Sequence, residues 1–163
     1  MGRVVTLGEL RAIRSRLRAG GKRVVFTNGT FDIIHRGHVE YLAKARSFGD
    51  VLVVGLNTDA SIRKIKGKGR PINPGGDRAA VLAALRAVDY VCFFRSTTPA
   101  HLIAQLMPDV LVKGADWKRA DIVGGSLVER TGGRVRRVRL TPGRSTTSII
   151  ERVLRAYRRG REG

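Results

Sequence analysis

Two histidines separated by an arginine and a glycine form the segment of this sequence with the clearest chemical potential. His35, Arg36, Gly37 and His38 follow a polar stretch that contains Thr30. Imidazole N–H groups, a threonine hydroxyl and the backbone N–H groups at a helix start all donate hydrogen bonds to phosphate oxygens. A glycine between the histidines lets a phosphate chain approach the backbone closely. The spacing therefore predicts a phosphate-binding site.

The same histidines could instead cap a helix, or bind zinc together with a third ligand. Cys92 and His101 are distant in sequence and show no zinc-ligand spacing, which disfavours zinc. The segment also lacks the glycine patterns of dinucleotide-binding folds and Walker A loops. Phosphate chemistry remains the favoured interpretation of the pair.

The surrounding sequence alternates apolar runs with amphipathic helical patterns. The predicted strands cover residues 23–27, 51–56, 90–94, 110–112 and 134–140, and the predicted helices cover residues 7–17, 37–48, 77–87, 98–107, 122–130 and 146–159. Continuous apolar runs are typical of a parallel sheet that is covered on both faces. We expect one α/β domain over residues 1–163, a Rossmann-like doubly wound parallel sheet of about five strands with helices on both faces. Its core would span about residues 22–155, behind a helical lead-in over residues 1–21.

Residues 64–76 contain four glycines and two prolines and are predicted to form a loop. Lys66 and Lys68 lie in this loop, where each could reach a triphosphate or sugar phosphate, or remain an ordinary solvated lysine. Asp77 is predicted to cap the following helix. Arg78 beside it could bind phosphate or form a structural salt bridge.

Positive charge dominates the composition: 32 Lys and Arg against 13 Asp and Glu give a formal net charge of +19. A polyanionic ligand is therefore expected. The predicted first helix and the tail are rich in arginine, at Arg11, Arg14, Arg16, Arg18, Arg152, Arg155, Arg158, Arg159 and Arg161. A nucleic-acid-binding module is the main alternative from another class. Aromatic residues are only 6% and no recognised DNA- or RNA-binding motif occurs, so we favour a solvated basic surface without a specific nucleic-acid partner.

Other features disfavour whole classes of protein. The single cysteine, Cys92, excludes an internal disulfide and a cysteine-rich zinc site. No apolar run approaches the roughly 18 residues that span a bilayer. Arginines interrupt the N-terminal stretch that a signal peptide would need. We therefore expect a soluble, cytoplasmic protein with no membrane partner.

The histidine segment also carries a family resemblance. Residues 29–38 read G-T-F-D-I-I-H-R-G-H and resemble the signature of the cytidylyltransferase-like nucleotidyltransferases. Residues 66–78, 111–117 and 143–150 are similar to the heptose 1-phosphate adenylyltransferase domain of that superfamily, and the similarity extends over about residues 4–154. Thr30 stands where the heptose subfamily often has cysteine, and Trp117 is similar to the last residue of a cytidylyltransferase K-G-x-D-W motif. Glycerol 3-phosphate cytidylyltransferase is therefore the alternative within the superfamily.

The resemblance implies a reaction between ATP and a sugar 1-phosphate, D-glycero-D-manno-heptose 1-phosphate, giving ADP-heptose and pyrophosphate. Mg²⁺ is expected with the ATP because it bridges triphosphate oxygens and needs few protein ligands, and the resemblance implies a homodimer. Many relatives carry this domain behind a sugar kinase, for which 163 residues leave no room, so a free-standing form is expected. A non-catalytic nucleotide sensor on the same fold is a third interpretation, disfavoured by the retained histidines.

The resemblance also assigns roles to individual residues. The implied catalytic residues are His35, His38, Thr30, Lys66 and Lys68. The implied nucleotide and phosphate contacts are Asn28, Gly29, Phe31, Gly37, Arg78, Lys113, Gly114, Asp116, Ser145, Thr146 and Thr147. No protein ligand to a metal is expected. Asp32 could support Mg²⁺ indirectly, and its favoured role is to hold its loop by hydrogen bonds.

Overall fold

A computed structural model describes residues 1–159; residues 160–163, including Arg161, belong to the predicted domain but lie outside the described residues. The strands are β1 (Arg3–Val5), β2 (Val24–Gly29), β3 (Val51–Asn57), β4 (Tyr90–Phe94), β5 (Val110–Gly114) and β6 (Arg134–Val138). The helices are α1 (Leu7–Ala19), α2 (Arg36–Arg46), α3 (Asp59–Lys66), α4 (Gly75–Ala84), α5 (Ala100–Leu106), α6 (Gly125–Arg130) and α7 (Thr146–Arg159), with a short 3-10 turn at Arg119–Asp121. All strands pair in parallel in one sheet, ordered β1-β4-β3-β2-β5-β6.

Alternate residues of the central strands enter two apolar layers, one on each face of the sheet. One layer packs against α2 and α4 and includes Val25, Leu42, Ala45, Leu52, Val54, Leu56, Ala79 and Leu82. The other packs against α1, α5 and α6 and includes Leu10, Ile13, Val24, Phe26, Val53, Leu102, Ile103, Leu111 and Val128. Burial of each large apolar side chain contributes about 1.5–3 kcal/mol. The expected parallel sheet with helices on both faces is confirmed.

The sheet has one strand more than the five expected. The added strand, β1, lies in the segment that was predicted to be a helical lead-in, and it pairs at the edge of the sheet with β4. Three residues, two of them exposed, are too short a run to reveal strand periodicity. Helix α1 then follows with a capping box between Thr6 and Glu9.

The segment between β3 and β4 differs most from the sequence prediction. Residues 59–66 form helix α3, whose start is capped by the Thr58 side chain, so that the loop is limited to residues 67–74. Helix α4 begins at Gly75 after Pro74, and the prediction that Asp77 caps it was wrong because Asp77 lies within its first turn. Helix α5 similarly begins after Pro99, with no cap from Thr98. The glycines and prolines near these helix starts are typical of loops, so the sequence did not predict where the helices begin.

The chain changes direction across the sheet between β2 and β5. Strands β3 and β4 lie on one side of β2, whereas β5 and β6 lie on the other. At such a switch point the loops leaving the two central strands diverge to opposite faces, which opens a crevice beyond their carboxyl ends. Because β2 ends at Gly29 and β5 ends at Gly114, the crevice falls on the two motifs that the sequence singled out. Within residues 1–159, no helix has both the length and the apolar character needed to cross a bilayer.

Candidate active site

An open cavity of about 500 Å³ occupies this crevice. It brings together most of the residues that the sequence proposed for the site. Those lining it are Asn28, Gly29, Thr30, Phe31, His35, Gly37, His38, Lys66, Lys113, Gly114, Asp116, Ser145, Thr146 and Thr147. The lining comes from the ends of β2 and β5, the starts of α2 and α7, and the end of α3.

The two histidines form a stacked pair at the start of α2. Their ring centroids are 3.8 Å apart at an interplanar angle of 20°, and the edge of Phe31 meets His38 at a centroid distance of 5.1 Å. Phe31 has a φ of 41°, an uncommon value for a residue with a side chain and one often found at functional sites. Gly29 leaves room for the Phe31 ring, because a Cβ at residue 29 would lie 2.9 Å from a ring carbon. The backbone of this turn therefore adopts a conformation that places the Phe31 ring against His38.

Neither imidazole is fully satisfied by the protein. The Nδ1 atoms of His35 and His38 are buried without a hydrogen-bond partner in residues 1–159. Burial, with the charges of His35 and Lys66, lowers the pKa of His38 to about 4. Burial and the charge of Arg144 also lower the pKa of His35. Both rings are therefore predominantly neutral at pH 7, and an adjacent anion would raise both pKa values by favouring the protonated forms.

Two cationic side chains lie on either side of this pair. The Lys66 Nζ, at the end of α3, donates to the Thr30 hydroxyl over 3.4 Å. Arg144 lines the same cavity, and its Cβ would lie only 3.2 Å from a Cβ at Gly37. The missing side chain of Gly37 thus allows the Arg144 segment to approach the histidines. Arg144, Tyr41 and Asn57 line the cavity although none of them was among the site residues predicted from the sequence; Arg144 lies in the segment 143–150 whose similarity pointed towards it.

A hydrogen bond holds the Arg144 segment on α2. The Thr141 hydroxyl donates to the Glu40 carboxylate, which also accepts from Arg36 Nε at 2.6 Å. Glu40 lies two residues after His38 on the same helix. The loop that carries Arg144 and the helix that carries the histidines are therefore joined through Thr141, which also lines the cavity.

The end of β5 supplies a third cation to the cavity. The Lys113 ammonium, only 7% exposed, donates to the Asn28 side chain and lies 5.5 Å from the Trp117 ring centroid. Burial lowers the pKa of Lys113 to about 8, and the carboxylate of Asp116 opposes that shift. Gly114 leaves room for the Asp116 carboxylate, which a Cβ at residue 114 would overlap in its present position. Trp117 is 46% exposed at the mouth of the cavity.

The start of α7 lines one side of the cavity, where it presents hydroxyl groups and the positive end of the helix dipole. The Ser145 side chain accepts from the Ser148 N–H at 3.0 Å, which identifies it as the helix cap. The Thr146 hydroxyl donates to the Ile33 carbonyl over 3.4 Å, linking α7 to the turn before the histidines. Thr147 also faces the cavity. Ser145 caps the helix and the Thr146 hydroxyl bonds to Ile33, so the Thr147 hydroxyl and the backbone N–H groups at the helix start remain available to an anion.

Asp32 is part of the framework around the cavity. Its carboxylate accepts from the N–H groups of Ile72 and Asn73, each at 2.9 Å, and from Arg70 Nε at 2.6 Å. Burial alone would raise the pKa of Asp32, but these hydrogen bonds and the Arg70 charge hold it below its usual value. Asp32 thus holds the loop over residues 67–74, as the sequence favoured.

Arg78 takes a different position from the expected phosphate contact, and the structure corrects that assignment. Its side chain is fully buried and does not line the cavity. The guanidinium donates to the Thr30 carbonyl at 2.8 Å, the Asn57 carbonyl at 2.9 Å, the Asn73 carbonyl at 3.1 Å and Asp59 Oδ1 at 2.6 Å. It therefore ties the turn after β2 to the end of β3 and to the loop before α4. The structural alternative weighed for Arg78 is the one observed.

Lys68 is also absent from the cavity lining. It lies in the exposed loop after α3, two residues beyond Lys66. Because α3 extends to Lys66, the helix directs one lysine to Thr30 and leaves the other in the loop. The structure places Lys66 in the cavity and leaves Lys68 out of its lining, and the action of at least one of the two stays a prediction.

The cavity offers few protein ligands for a metal ion. Asp116 is the one carboxylate among the lining residues, and no group of three His, Cys, Asp or Glu side chains comes together within residues 1–159. Mg²⁺ commonly binds through one or two carboxylates together with substrate phosphates and water. The donor set therefore fits an Mg²⁺ ion that is carried by a triphosphate.

The parallel sheet, the switch-point cavity and the paired histidines at a helix start define a nucleotidyltransferase domain. Comparison with protein families agrees with this class: residues 26–152 match the family described as Cytidylyltransferase-like. The match covers well over half of the chain, and the chain belongs to this family.

Curated relatives show which proteins of this family the chain resembles. The bifunctional protein HldE of Geobacter sulfurreducens is 55% identical over 95% of this chain, and that of Syntrophotalea carbinolica is 54% identical over 93%. The chain spans about a third of the length of these relatives, 32% and 31% respectively.

Solved structures show the same architecture. A lipopolysaccharide core biosynthesis protein from Thermoplasma volcanium superposes with a TM-score of 0.61 at 30% identity, covering 74% of this chain and 98% of that one. A pantoate-β-alanine ligase from Francisella tularensis has a TM-score of 0.64 at 16% identity, covering 90% of this chain and 69% of that one. The second likeness concerns the fold alone.

Proposed function

We propose that this chain joins a sugar 1-phosphate to the adenylyl group of ATP, with D-glycero-D-manno-heptose 1-phosphate as the sugar substrate. The products would be ADP-heptose and pyrophosphate. The observation that carries the proposal is the stacked pair of His35 and His38, whose Nδ1 atoms have no hydrogen-bond partner among residues 1–159, in a cavity that Lys66, Lys113 and Arg144 also line. Identity above 50% to the HldE proteins over most of the chain supports the choice of ATP and heptose.

The chemistry requires positioning and charge neutralisation more than proton transfer. An oxygen of the sugar phosphate attacks the α-phosphorus, a new P–O bond forms, and the bond to the β-phosphate oxygen breaks to release pyrophosphate. The attacking phosphate is already anionic at neutral pH, so no general base is required. His35 and His38 would donate to the α-phosphate as charge accumulates on its oxygens, and Thr30 would orient it.

The other cations and hydroxyls of the cavity would bind the remaining phosphate groups. Lys66 and Arg144, on either side of the histidines, would neutralise the phosphates that flank the α-phosphorus. Ser145, Thr146 and Thr147 at the start of α7 would hold the β- and γ-phosphates through hydroxyls and backbone N–H groups. Mg²⁺ would neutralise triphosphate charge, with Asp116 as the protein carboxylate available to it.

The first test measures pyrophosphate release with Mg²⁺, crossing ATP and CTP against heptose 1-phosphate and glycerol 3-phosphate. We expect turnover with ATP and heptose 1-phosphate. Turnover confined to CTP and glycerol 3-phosphate would overturn the substrates and keep the mechanism. A protein that binds ATP but turns over no combination would contradict the proposed function and favour a nucleotide sensor.

Lys113 gives the reaction an alkaline limit. Because its pKa is lowered to about 8, the ammonium is charged below that pH and loses its proton as the pH rises through it. We expect kcat/KM for ATP to fall above pH 8, since a neutral amine no longer attracts the triphosphate. Lys113→Arg retains the charge and should remove the fall.

The measurement is the pH profile of kcat/KM between pH 6.5 and 9.5 for the wild type and Lys113→Arg. Lys44→Arg is the matched control, because Lys44 lies on α2 beside Phe48 and does not line the cavity. This control should keep the wild-type profile. Identical profiles in all three proteins would rule out Lys113 as the titrating group.

We also propose a homodimer that forms through α7, and a cytoplasmic location, where ATP is available. Residues 151–158 of α7 are all exposed, and Val153, Leu154 and Tyr157 lie on the same helix face as Ile149 and Ile150. An apolar helix face of this kind is typical of a surface that another chain covers.

Leu154→Asp should convert the dimer to a monomer, because it places a charge in the proposed apolar interface. Light scattering after size-exclusion chromatography measures the mass. Arg152→Asp, two residues earlier on the polar face of the same helix, is the control and should remain dimeric. A wild-type protein that is monomeric at every concentration would contradict the proposed dimer.

A further inference from the structure

A second cavity lies at the opposite end of the sheet from the histidines. Its volume is about 510 Å³, and its basic lining residues are Arg14, Arg18, Lys22, Arg23, Arg134 and Arg136. Arg23 directly precedes β2, and Arg134 begins β6, which places the cavity at the amino ends of the strands. The six residues of β2 separate the two ends of the sheet by roughly 20 Å. An occupant of this cavity therefore does not overlap the candidate active site.

The one carboxylate in the lining is already used within the protein. Asp109 accepts from Arg14 Nη2 at 3.0 Å and from the Val24 N–H at 2.7 Å. Arg14, which is buried, also donates to the carbonyls of Leu106 and Met107. Arg14 and Asp109 therefore pair with each other within the protein. The Asp109 carboxylate does not neutralise the other cations that line the cavity.

Five exposed cations remain around the mouth, and within residues 1–159 none of them forms a salt bridge: Arg18, Lys22, Arg23, Arg134 and Arg136. Asp50 lies close by and accepts from the Arg23 N–H at 2.8 Å. The ends of α1, α2 and α6 also face this side, each with about half a negative charge. After these contributions an excess of roughly two to three positive charges remains. Helix dipoles alone therefore do not account for the cluster.

We infer that this cavity is a second binding site, specific for a small anion with a chain of phosphates. A pyrophosphate, tripolyphosphate or nucleoside polyphosphate carries the complementary charge, and arginine binds phosphate oxygens through paired N–H donors. The volume falls within the usual range of small-ligand sites. Phe48 and Ser47 also line it and add an apolar edge and a hydroxyl to the cationic lining. The phosphate chain is the feature that all these ligands share.

Calorimetric titration with inorganic tripolyphosphate and with ADP, in 0.15 M salt without metal, tests the site. Arg134→Gln/Arg136→Gln removes two cations from the exposed strand β6 and should weaken this site about ten- to a hundredfold. Arg155→Gln/Arg158→Gln removes the same charge from α7 and should leave it unchanged. Arg18→Gln/Lys22→Gln, at the end of α1, should weaken it similarly and serves if the first variant unfolds. Pyrophosphate release with saturating substrates should stay at the wild-type rate in all three, which separates this site from the proposed reaction.

The two ligands distinguish the sources of the phosphate chain. Tighter binding of ADP than of tripolyphosphate would assign the site to a nucleotide, and the reverse order would assign it to an inorganic polyphosphate. Equal weakening in all three double variants would overturn the inference, because it would reflect net charge alone. Unchanged affinity and stoichiometry in the Arg134/Arg136 variant would also overturn it. So would an effect of that variant on a single-stranded oligonucleotide only, since the surface would then bind nucleic acid.

Discussion

His38→Ala is expected to lower the turnover number about 10²- to 10³-fold with little change in stability. The ring lies in the cavity against Phe31 and stacked on His35, where it would donate to the α-phosphate in the transition state. Loss of one such donor costs about 2.7–4 kcal/mol of barrier. The buried Nδ1 makes no hydrogen bond in residues 1–159, so the polar contact that the ring can lose within the protein is the one with the Ile33 backbone.

The experiment measures kcat by pyrophosphate release and the midpoint of thermal unfolding on the same samples. His101→Ala is the matched control, since His101 is exposed on α5 and does not line the cavity. It should keep both the wild-type rate and the wild-type midpoint. A His38→Ala protein that retains most of its turnover would exclude His38 from the reaction. A loss confined to KM would assign it to substrate binding alone.

Arg78→Met should lower the free energy of unfolding by about 3–5 kcal/mol, the largest effect on stability that we expect. Methionine occupies part of the same space but leaves the carbonyls of Thr30, Asn57 and Asn73 without their donor and Asp59 without its cation. Each buried acceptor left unpaired costs about 1–3 kcal/mol. Since the Thr30 turn loses its support, turnover should fall as well.

Urea unfolding measures this loss, and Arg119→Met provides the comparison. Arg119 pairs with Glu129 on the surface, with 70% of its side chain exposed, and an exposed pair contributes at most about 1 kcal/mol. A stable Arg78→Met protein with greatly weakened ATP binding would instead restore the phosphate-binding role that the sequence suggested. Urea unfolding and the affinity for ATP, both measured on Arg78→Met, therefore distinguish a framework role of Arg78 from a ligand-binding role.

The histidine motif and the fold class follow from local sequence. Continuous apolar runs predict buried parallel strands, because both faces of such strands are covered. This pattern can be recognised from residues that are neighbours in the sequence. The H-x-G-H spacing likewise predicts a phosphate site at a helix start without reference to the rest of the chain. Helix α3 was missed because the glycines and prolines just after it dominated the local pattern.

The roles of the polar residues were decided by tertiary structure. Arg78 and Lys66 both lie near the same loop in sequence, yet one is buried between the ends of two strands and the other reaches Thr30. Arg144 enters the site from 106 positions after His38, through the order of strands in the sheet. The sequence by itself determined the family and predicts a phosphate site, since residue types and short spacings encode both. Only the tertiary structure decided which cation faces a ligand and which supports the fold, because that choice depends on partners brought together from distant parts of the chain.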